Sequence, residues 1–360
     1  MASELSVSAP PAPESRASLR APRGVAGAGL GILVNANAKR GGRRIAATLG
    51  SALPGARVRL TRSPDDVDAY LRSLLLTGDP PPRCILAAGG DGTAIGLVNA
   101  LRRVLPEDAP LPPIGLLPLG TGNAWAHAMG ALKLGLAVRQ LRRHDGTLPL
   151  RRYNLVECEG VLTPFAGCGW DAEVLNDYRA QMEAAKGPSR ELAKSVAGYL
   201  SALFMRTVPK AFLNGPAHVL VENLGDVVYT LTPEAEVVPV ADAKRGTILY
   251  EGPACVAGAA TCPEFGYQMR AYPFAERLPG FFNARVYNVP PATAVRAIPS
   301  LWRGTFPLEG MHDWFATALR MTFSRPVPLQ VAGDAVGYRQ SVDYRIHPRF
   351  VPVLDWRAME

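Results

Sequence analysis

CILAAGGDGTAIGLVN, residues 84–99, is an apolar run that stops abruptly at Gly89-Gly90-Asp91-Gly92-Thr93 and resumes as a helical pattern. It reads as a strand, a tight turn and a helix. Glycines let the backbone approach an anion with no Cβ in the way, and the N–H groups that open the next helix point at that anion with the helix dipole behind them. A phosphate fits such a turn. IGLLPLGTGN, residues 114–123, repeats the design, with an apolar strand entering Gly120-Thr121-Gly122-Asn123 ahead of Ala124-Trp125-Ala126. Two such turns on neighbouring strands are suited to one triphosphate.

Strand and helix patterns alternate around this pair. GLGILVN (29–35) is followed by a helix through Arg43–Leu49, a strand over Arg57–Leu60 and a helix over Pro64–Leu76. That alternation predicts an α/β domain with a parallel sheet. Ser63-Pro64 is an N-cap and N1 pair, and Asp65, Asp66 and Asp68 suit the positive end of the dipole, so capping is their expected role. After about residue 150 the texture changes to short β-like runs broken by Pro and Gly: Tyr153–Glu157, Thr247–Tyr250, Ala284–Val289, Leu329–Val331 and Val342–Ile346. These predict a mainly antiparallel, sandwich-like second domain. The expected division is a disordered tail over 1–28, an α/β nucleotide-binding domain over 29–150 and a β-rich substrate domain over 151–360. The last residues are a candidate for returning to the first domain. Within the second domain, Glu191–Arg206 has an amphipathic pattern that suits either packing on the sheet or a membrane-facing lid. Trp302, Phe306, Trp314 and Phe315 are expected in the core.

The net charge of +8 belongs to the first half: residues 1–150 hold 18 Lys and Arg against 10 Asp and Glu, whereas 151–360 hold 21 of each. The excess is either a solvated basic face or a surface that meets anionic substrate or lipid. No nucleic-acid reader motif accompanies it, so nucleic acid is not an expected partner. Cys84, Cys158, Cys168, Cys255 and Cys262 include no C-x-x-C pair and indicate neither a zinc site nor a disulfide framework, which predicts a reducing, cytoplasmic setting. No run of 18 apolar residues occurs, so membrane contact is expected to be peripheral. The five histidines show no ligand spacing.

Gly-Gly-Asp-Gly after a strand says phosphate binding. An aspartate there would repel phosphate unless it held Mg²⁺, took a proton or bonded ribose. The combination resembles the diacylglycerol kinase catalytic-domain family, which includes bacterial lipid kinases and sphingosine kinases. Four elements carry the match: Val34-Asn35-Ala36-Asn37 with Gly41-Gly42, the GGDGT turn, PLGTGN, and Gly333-Asp334 within PLQVAGDAVGYR. Thr61, FAGCGWDAEV with Asp171, and Tyr272-Pro273-Phe274-Ala275 are supporting matches.

The resemblance implies a kinase using ATP and Mg²⁺, with nucleotide held by Asn35, Thr61, Gly89, Gly90, Asp91, Gly92, Thr93, Gly120, Thr121 and Asn123. By the same analogy Asp334 accepts the hydroxyl proton, Asp91 lies by the phosphates as catalytic residue and metal ligand, and Asp171 positions the alcohol. Lys39, Arg40, Arg43 and Arg44 are candidates to balance phosphate charge. The implied substrate is diacylglycerol, a sphingoid base or a related lipid met at a membrane surface, and a homodimer is a candidate assembly. The chain departs from the family where an acidic residue is usual: Gly96 follows GGDGT, and Ala332-Gly333-Asp334 replaces Asp-Gly-Glu. Those departures keep open a catalytically weakened nucleotide- or lipid-binding protein of the same fold, and because NAD kinases also use GGDG turns, a soluble kinase of that kind is a second alternative.

Overall fold

A computed structural model describes residues 26–38, 41–77, 80–120, 123–144, 147–185, 198, 201–265, 268–304 and 310–359. The chain begins with β1 (Leu30–Asn35), α1 (Gly42–Ala52), β2 (Arg57–Thr61), α2 (Pro64–Leu75), β3 (Cys84–Gly89), α3 (Asp91–Val104), β4 (Ile114–Pro118), α4 (Ala124–Ala128) and α5 (Leu134–Arg143). β5 (Leu150–Tyr153), β6 (Val156–Cys158), β7 (Val161–Thr163), β8 (Phe165–Gly169), α6 (Trp170–Ala184), α7 (Val208–Asn214), β9 (Ala217–Asn223), β10 (Tyr229–Leu231) and β11 (Val237–Pro239) follow. β12 (Ile248–Ala254), β13 (Val256–Ala260), β14 (Phe282–Tyr287), α8 (Pro291–Arg303), β15 (Met311–Ala316), β16 (Ala318–Val331), β17 (Asp334–Ile346) and β18 (Val351–Leu354) complete it.

The first sheet runs β2-β1-β3-β4-β18-β5, and its first four strands are parallel. Parallel strands covered on both faces need apolar side chains on both, which is why β3 is buried at every position. Its residues alternate between two cores. Ile85 and Ala87 pack with α2, α3 and α4, while Cys84, Leu86 and Ala88 pack with α1 and α5. β18 lies parallel to β4 and antiparallel to β5, so the end of the chain is part of this sheet. At α2, the Ser63 hydroxyl accepts from Asp66 N, and Asp66 accepts in return from Arg62 N. Asp68 pairs with Arg103 on α3.

The second sheet joins twelve antiparallel strands by hydrogen bonds. Its longest pair, β16 and β17, absorbs the short runs Leu329–Val331 and Val342–Ile346. The alternation that marks a strand fades where Pro326 and Pro328 interrupt β16, and its register with β17 shifts there. Tyr153–Glu157 divides into two strands, β5 in the first sheet and β6 in the second. Trp314 and Phe315 are buried as expected, and Trp302 is half-buried. Phe306 and most of the Glu191–Arg206 helix lie outside the described residues, as do Lys39 and Arg40. The five cysteines are free and buried.

One face of this sheet carries Ala166, Cys168, Ala257 and Ala259 into its own core. The other turns Phe165 and Ala260 into the core that holds Leu97, Ala124 and Trp125 of the first sheet's helices. The two sheets therefore share one apolar cluster, with ring contacts between Trp125 and Tyr153 (5.4 Å), Phe165 and Phe265 (4.6 Å), and Phe265 and Tyr272 (5.3 Å). A polar clamp sits beside it: the Asn99 side chain on α3 donates to Leu162 O and accepts from Leu162 N, both at 2.9 Å. Asn99→Ala leaves both backbone groups of Leu162 without that partner and is expected to lower unfolding free energy by about 1–3 kcal/mol, read from urea denaturation.

Candidate active site

The carboxyl ends of four adjacent parallel strands bring the first group of residues together. Asn35 pairs with Thr61 across β1 and β2, and Gly89 pairs with Pro118 across β3 and β4. Ligands of open α/β sheets bind along this edge. Asn35 spans it, because its Nδ2 donates to Thr93 Oγ1 (3.0 Å) while its Oδ1 accepts from Asn37 N (2.8 Å). Thr61 is buried; its carbonyl accepts from Ala36 N, and its hydroxyl reaches Val34 O. These contacts shape the turn around Asn35.

The two glycine turns touch backbone to backbone. A Cβ on Gly90 would lie 3.2 Å from Gly120 Cα, a Cβ on Gly120 would strike Gly90 outright, and a Cβ on Gly89 would strike Thr93. Gly120 N donates toward Gly89 O and Asn123 Oδ1, and Asn123 Nδ2 donates back to Gly120 O. Asn123 adopts φ 53°, a left-handed conformation that asparagine tolerates. No side chain caps Gly90, so the opening amides of the fourteen-residue α3 face the turn without a side-chain acceptor. Gly92 and Gly96 lie exposed on that helix, and a Cβ at either would meet nothing within 4 Å. Arg43 and Arg44 are exposed on α1, and Thr121 and Gly122 lie outside the described residues.

Asp91 bridges the turns. Its two oxygens accept from Ala124 N (2.9 Å) and Trp125 N (3.1 Å), which begin α4. Burial raises its pKa, opposed by those two amides and by His127. With one oxygen on each amide, both carboxylate oxygens of Asp91 are engaged by the protein and each keeps a second lone pair. Among the described residues no group of three or more His, Cys, Asp or Glu is arranged to hold a metal.

A second group lies on the large sheet, on the face turned toward the first. Asp171 stands in the first turn of α6, and its Oδ2 accepts from Gln330 Nε2 at 3.1 Å. Gln330 is 1 % exposed, and its Oε1 accepts from Gly333 N at 2.9 Å, one residue before Asp334. Asp334 is exposed and follows a two-residue turn in which Ala332 and Gly333 have φ 56° and 84°. Space for Asp171 comes from Gly167, whose Cβ would collide with the carboxylate, and Tyr272 Oη occupies the matching position over the partner Gly258. Asp171 Oδ1 and Tyr272 Oη are both buried without a hydrogen-bond partner among the described residues. The hydrogen bonds thus tie Asp171 to the Asp334 turn through Gln330, and hold Asp91 with the glycine turns as a separate group. Sequence reasoning passed over Gln330; its signal was a lone polar residue in the apolar run Val327–Val331.

Residues 30–147 match the diacylglycerol kinase catalytic domain. Over these residues, about a third of its length, the chain is similar to that family. A "probable lipid kinase YegS-like" from Xanthomonas campestris is 38% identical over 71 residues, 20% of this chain and 22% of that protein. An eye-specific diacylglycerol kinase from Drosophila melanogaster is 48% identical over 46 residues, 13% of this chain and 3% of that protein. The matched segments thus span about a fifth or less of these relatives' length. A crystal structure of a diacylglycerol kinase from Bacillus anthracis superposes over 92% of this chain and 98% of its own with a TM-score of 0.58 at 14% identity. That likeness extends the fold of this family across the second sheet.

Burial pushes the Asp171 carboxyl up to about 6, although the Gln330 amide and backbone N–H groups pull it down. A carboxyl titrating higher in the folded chain than in the unfolded one makes ionisation destabilising. Stability is lost as pH rises from about 4 to 6, and the full penalty, up to about 3 kcal/mol, applies above that range. Asp171→Asn removes the penalty. The variant is expected to gain thermal stability over the parent at pH 8 and to gain little or nothing at pH 4, compared by differential scanning calorimetry.

Proposed function

We propose that the protein is an ATP-dependent lipid kinase that transfers the γ-phosphate to a hydroxyl of an amphiphile such as diacylglycerol or a sphingoid base. The observation that carries this reading is the closure of two glycine turns against each other at the carboxyl edge of a parallel sheet. It leaves the N-terminus of α3 open to an anion. Asn35, Thr61, Gly89–Thr93, Gly120 and Asn123 surround the nucleotide. Asp91 acts by holding α4 and the second turn in place, and ATP brings its own Mg²⁺ rather than finding the ion on Asp91.

The acceptor approaches from the second sheet. A cavity of about 470 Å³ lies beside the first turn of α6, with apolar lining from Trp170, Ala254, Val327 and Pro328 and charged lining from Glu173, Lys210 and Arg325, a mixture that suits an amphiphile. Asp171 offers its unpartnered Oδ1 to the alcohol. As the hydroxyl oxygen bonds to the γ-phosphorus and the bond to the β-phosphate oxygen breaks, Asp334 accepts the hydroxyl proton. Its exposed position lets it return that proton to solvent. No helix among the described residues is long and apolar enough to cross a membrane. On this reading the substrate is met at a bilayer surface, to which the basic first half of the chain contributes attraction.

The test is incubation with labelled ATP, Mg²⁺ and mixed-micelle lipids, with the products identified by mass. A phosphorylated lipid is expected from the parent protein, with at least a hundredfold loss in Asp334→Asn. ATP binding without lipid turnover would instead favour the catalytically weakened reading, for which Gly96 and Ala332 are the specific observations, and phosphorylation of soluble nucleotides alone would displace both. For Asp91→Asn, an amide cannot accept through both of its terminal atoms. ATP affinity is expected to fall about tenfold or more, with no recovery when Mg²⁺ is raised; recovery would place the ion on Asp91 after all.

A further inference from the structure

We propose that Gln330 is a positioning residue that sets the two substrate-side acids, Asp171 and Asp334, in fixed relation to each other. The inference rests on the lipid-kinase reading for its kinetic consequence but on the geometry alone for the coupling. An amide side chain has one accepting end and one donating end. Gln330 Oε1 accepts from Gly333 N, so its Nε2 must face Asp171, and the 3.1 Å contact with Oδ2 is the only orientation that satisfies both neighbours. With the residue 1 % exposed, water is not at hand to replace either bond.

The coupling has two ends. At Asp171 it engages Oδ2, and Oδ1 is the oxygen without a hydrogen-bond partner among the described residues. At the turn it holds the amide immediately before Asp334, where Ala332 already occupies a left-handed conformation that a β-carbon disfavours. Ala332 N bonds to Phe165 O (3.0 Å), so the turn is pinned on one side by β8 and on the other by Gln330. Gln330 also pairs with Gly167 across β16 and β8, directly beneath the Asp171 carboxylate. One side chain thus indexes a helix residue and a hairpin residue that are 163 positions apart in the chain to the same point on the sheet. A misplacement of about 1 Å at a reacting group costs on the order of a hundredfold in rate.

Two variants test this. Gln330→Leu removes both bonds. Gln330→Glu keeps the acceptor for Gly333 N but sets a second carboxyl against Asp171, so the pair must share a proton to stay together. Amide hydrogen exchange of Gly333 is expected to accelerate at least tenfold in Gln330→Leu and to stay protected in Gln330→Glu at pH 5. Lipid phosphorylation in Gln330→Leu is expected to fall about a hundredfold in kcat with the KM for ATP within twofold. In Gln330→Glu activity is expected to fall as pH rises from 6 to 8, whereas in the parent it holds or rises over that range. Unchanged Gly333 protection in Gln330→Leu, or parent-like kcat and pH slope in both variants, would overturn the proposal. If the parent phosphorylates no lipid, the kinase reading fails, while Gly333 exchange and the pH dependence of Gln330→Glu melting still decide the coupling. Should Gln330→Leu fail to fold, the Glu variant decides it alone.

Discussion

The approach of Gly90 to Gly120 is the constraint on which the site depends. Two strands of a parallel sheet lie about 4.8 Å apart, and turns leaving their ends normally diverge as side chains push them apart. Here the turns have no side chains to separate them, so their backbones meet and the amides that open α3 are gathered beside the second turn. Asp91 completes the arrangement by using its carboxylate as a clamp for the first amides of α4. The clamp explains how an acid can stand in a turn built for anions: its charge is neutralised locally by N–H groups.

The second constraint is the shared apolar cluster. Phe165 from the large sheet, Tyr272 from the loop between β13 and β14 and Trp125 from α4 belong to one core, and Tyr153, at the end of β5, packs at a tilt against Trp125. The strand that returns, β18, closes the first sheet from the other end of the chain. The glycine turns and the pair Asp171 and Asp334 are therefore carried on separate sheets whose relative position is set by packing, with Asn99 adding directional hydrogen bonds between them.

What the sequence disclosed and what it withheld differ in physical kind. The glycine turns were legible because local backbone requirements write themselves into a few adjacent residues, and the parallel sheet because burial on both faces demands continuous apolar runs such as Cys84–Gly89. The capping of α2 by Ser63 and Asp66 was legible for the same reason. The partners of Asp91 lie 33 and 34 positions away, and the sequence shows an aspartate without showing that both of its oxygens are engaged. The extent of β16 and β17 was hidden by prolines that a long strand tolerates only where its register slips. Gln330 was hidden because its meaning lies in pairing with residues on two other elements.

The face of the large sheet that turns toward the first sheet shows what those distant pairings build. Gln330, Gly167, Gly258, Arg285 and Asp313 are successive cross-strand partners over five strands, and partners directly opposite share a face. Two glycines in the middle of that row vacate the space that Asp171 and Tyr272 fill from above. At the far end Arg285 and Asp313 neutralise each other through two hydrogen bonds of 2.9 Å, and Arg285 also donates to Ala271 O beside Tyr272. Burying such a row is costly, and an apolar row would be easier to stabilise. A carboxyl raised toward neutrality, with one oxygen still unpartnered, is the part of that cost which packing does not recover. Its location on the face shared by the two sheets is where an acceptor alcohol would need it.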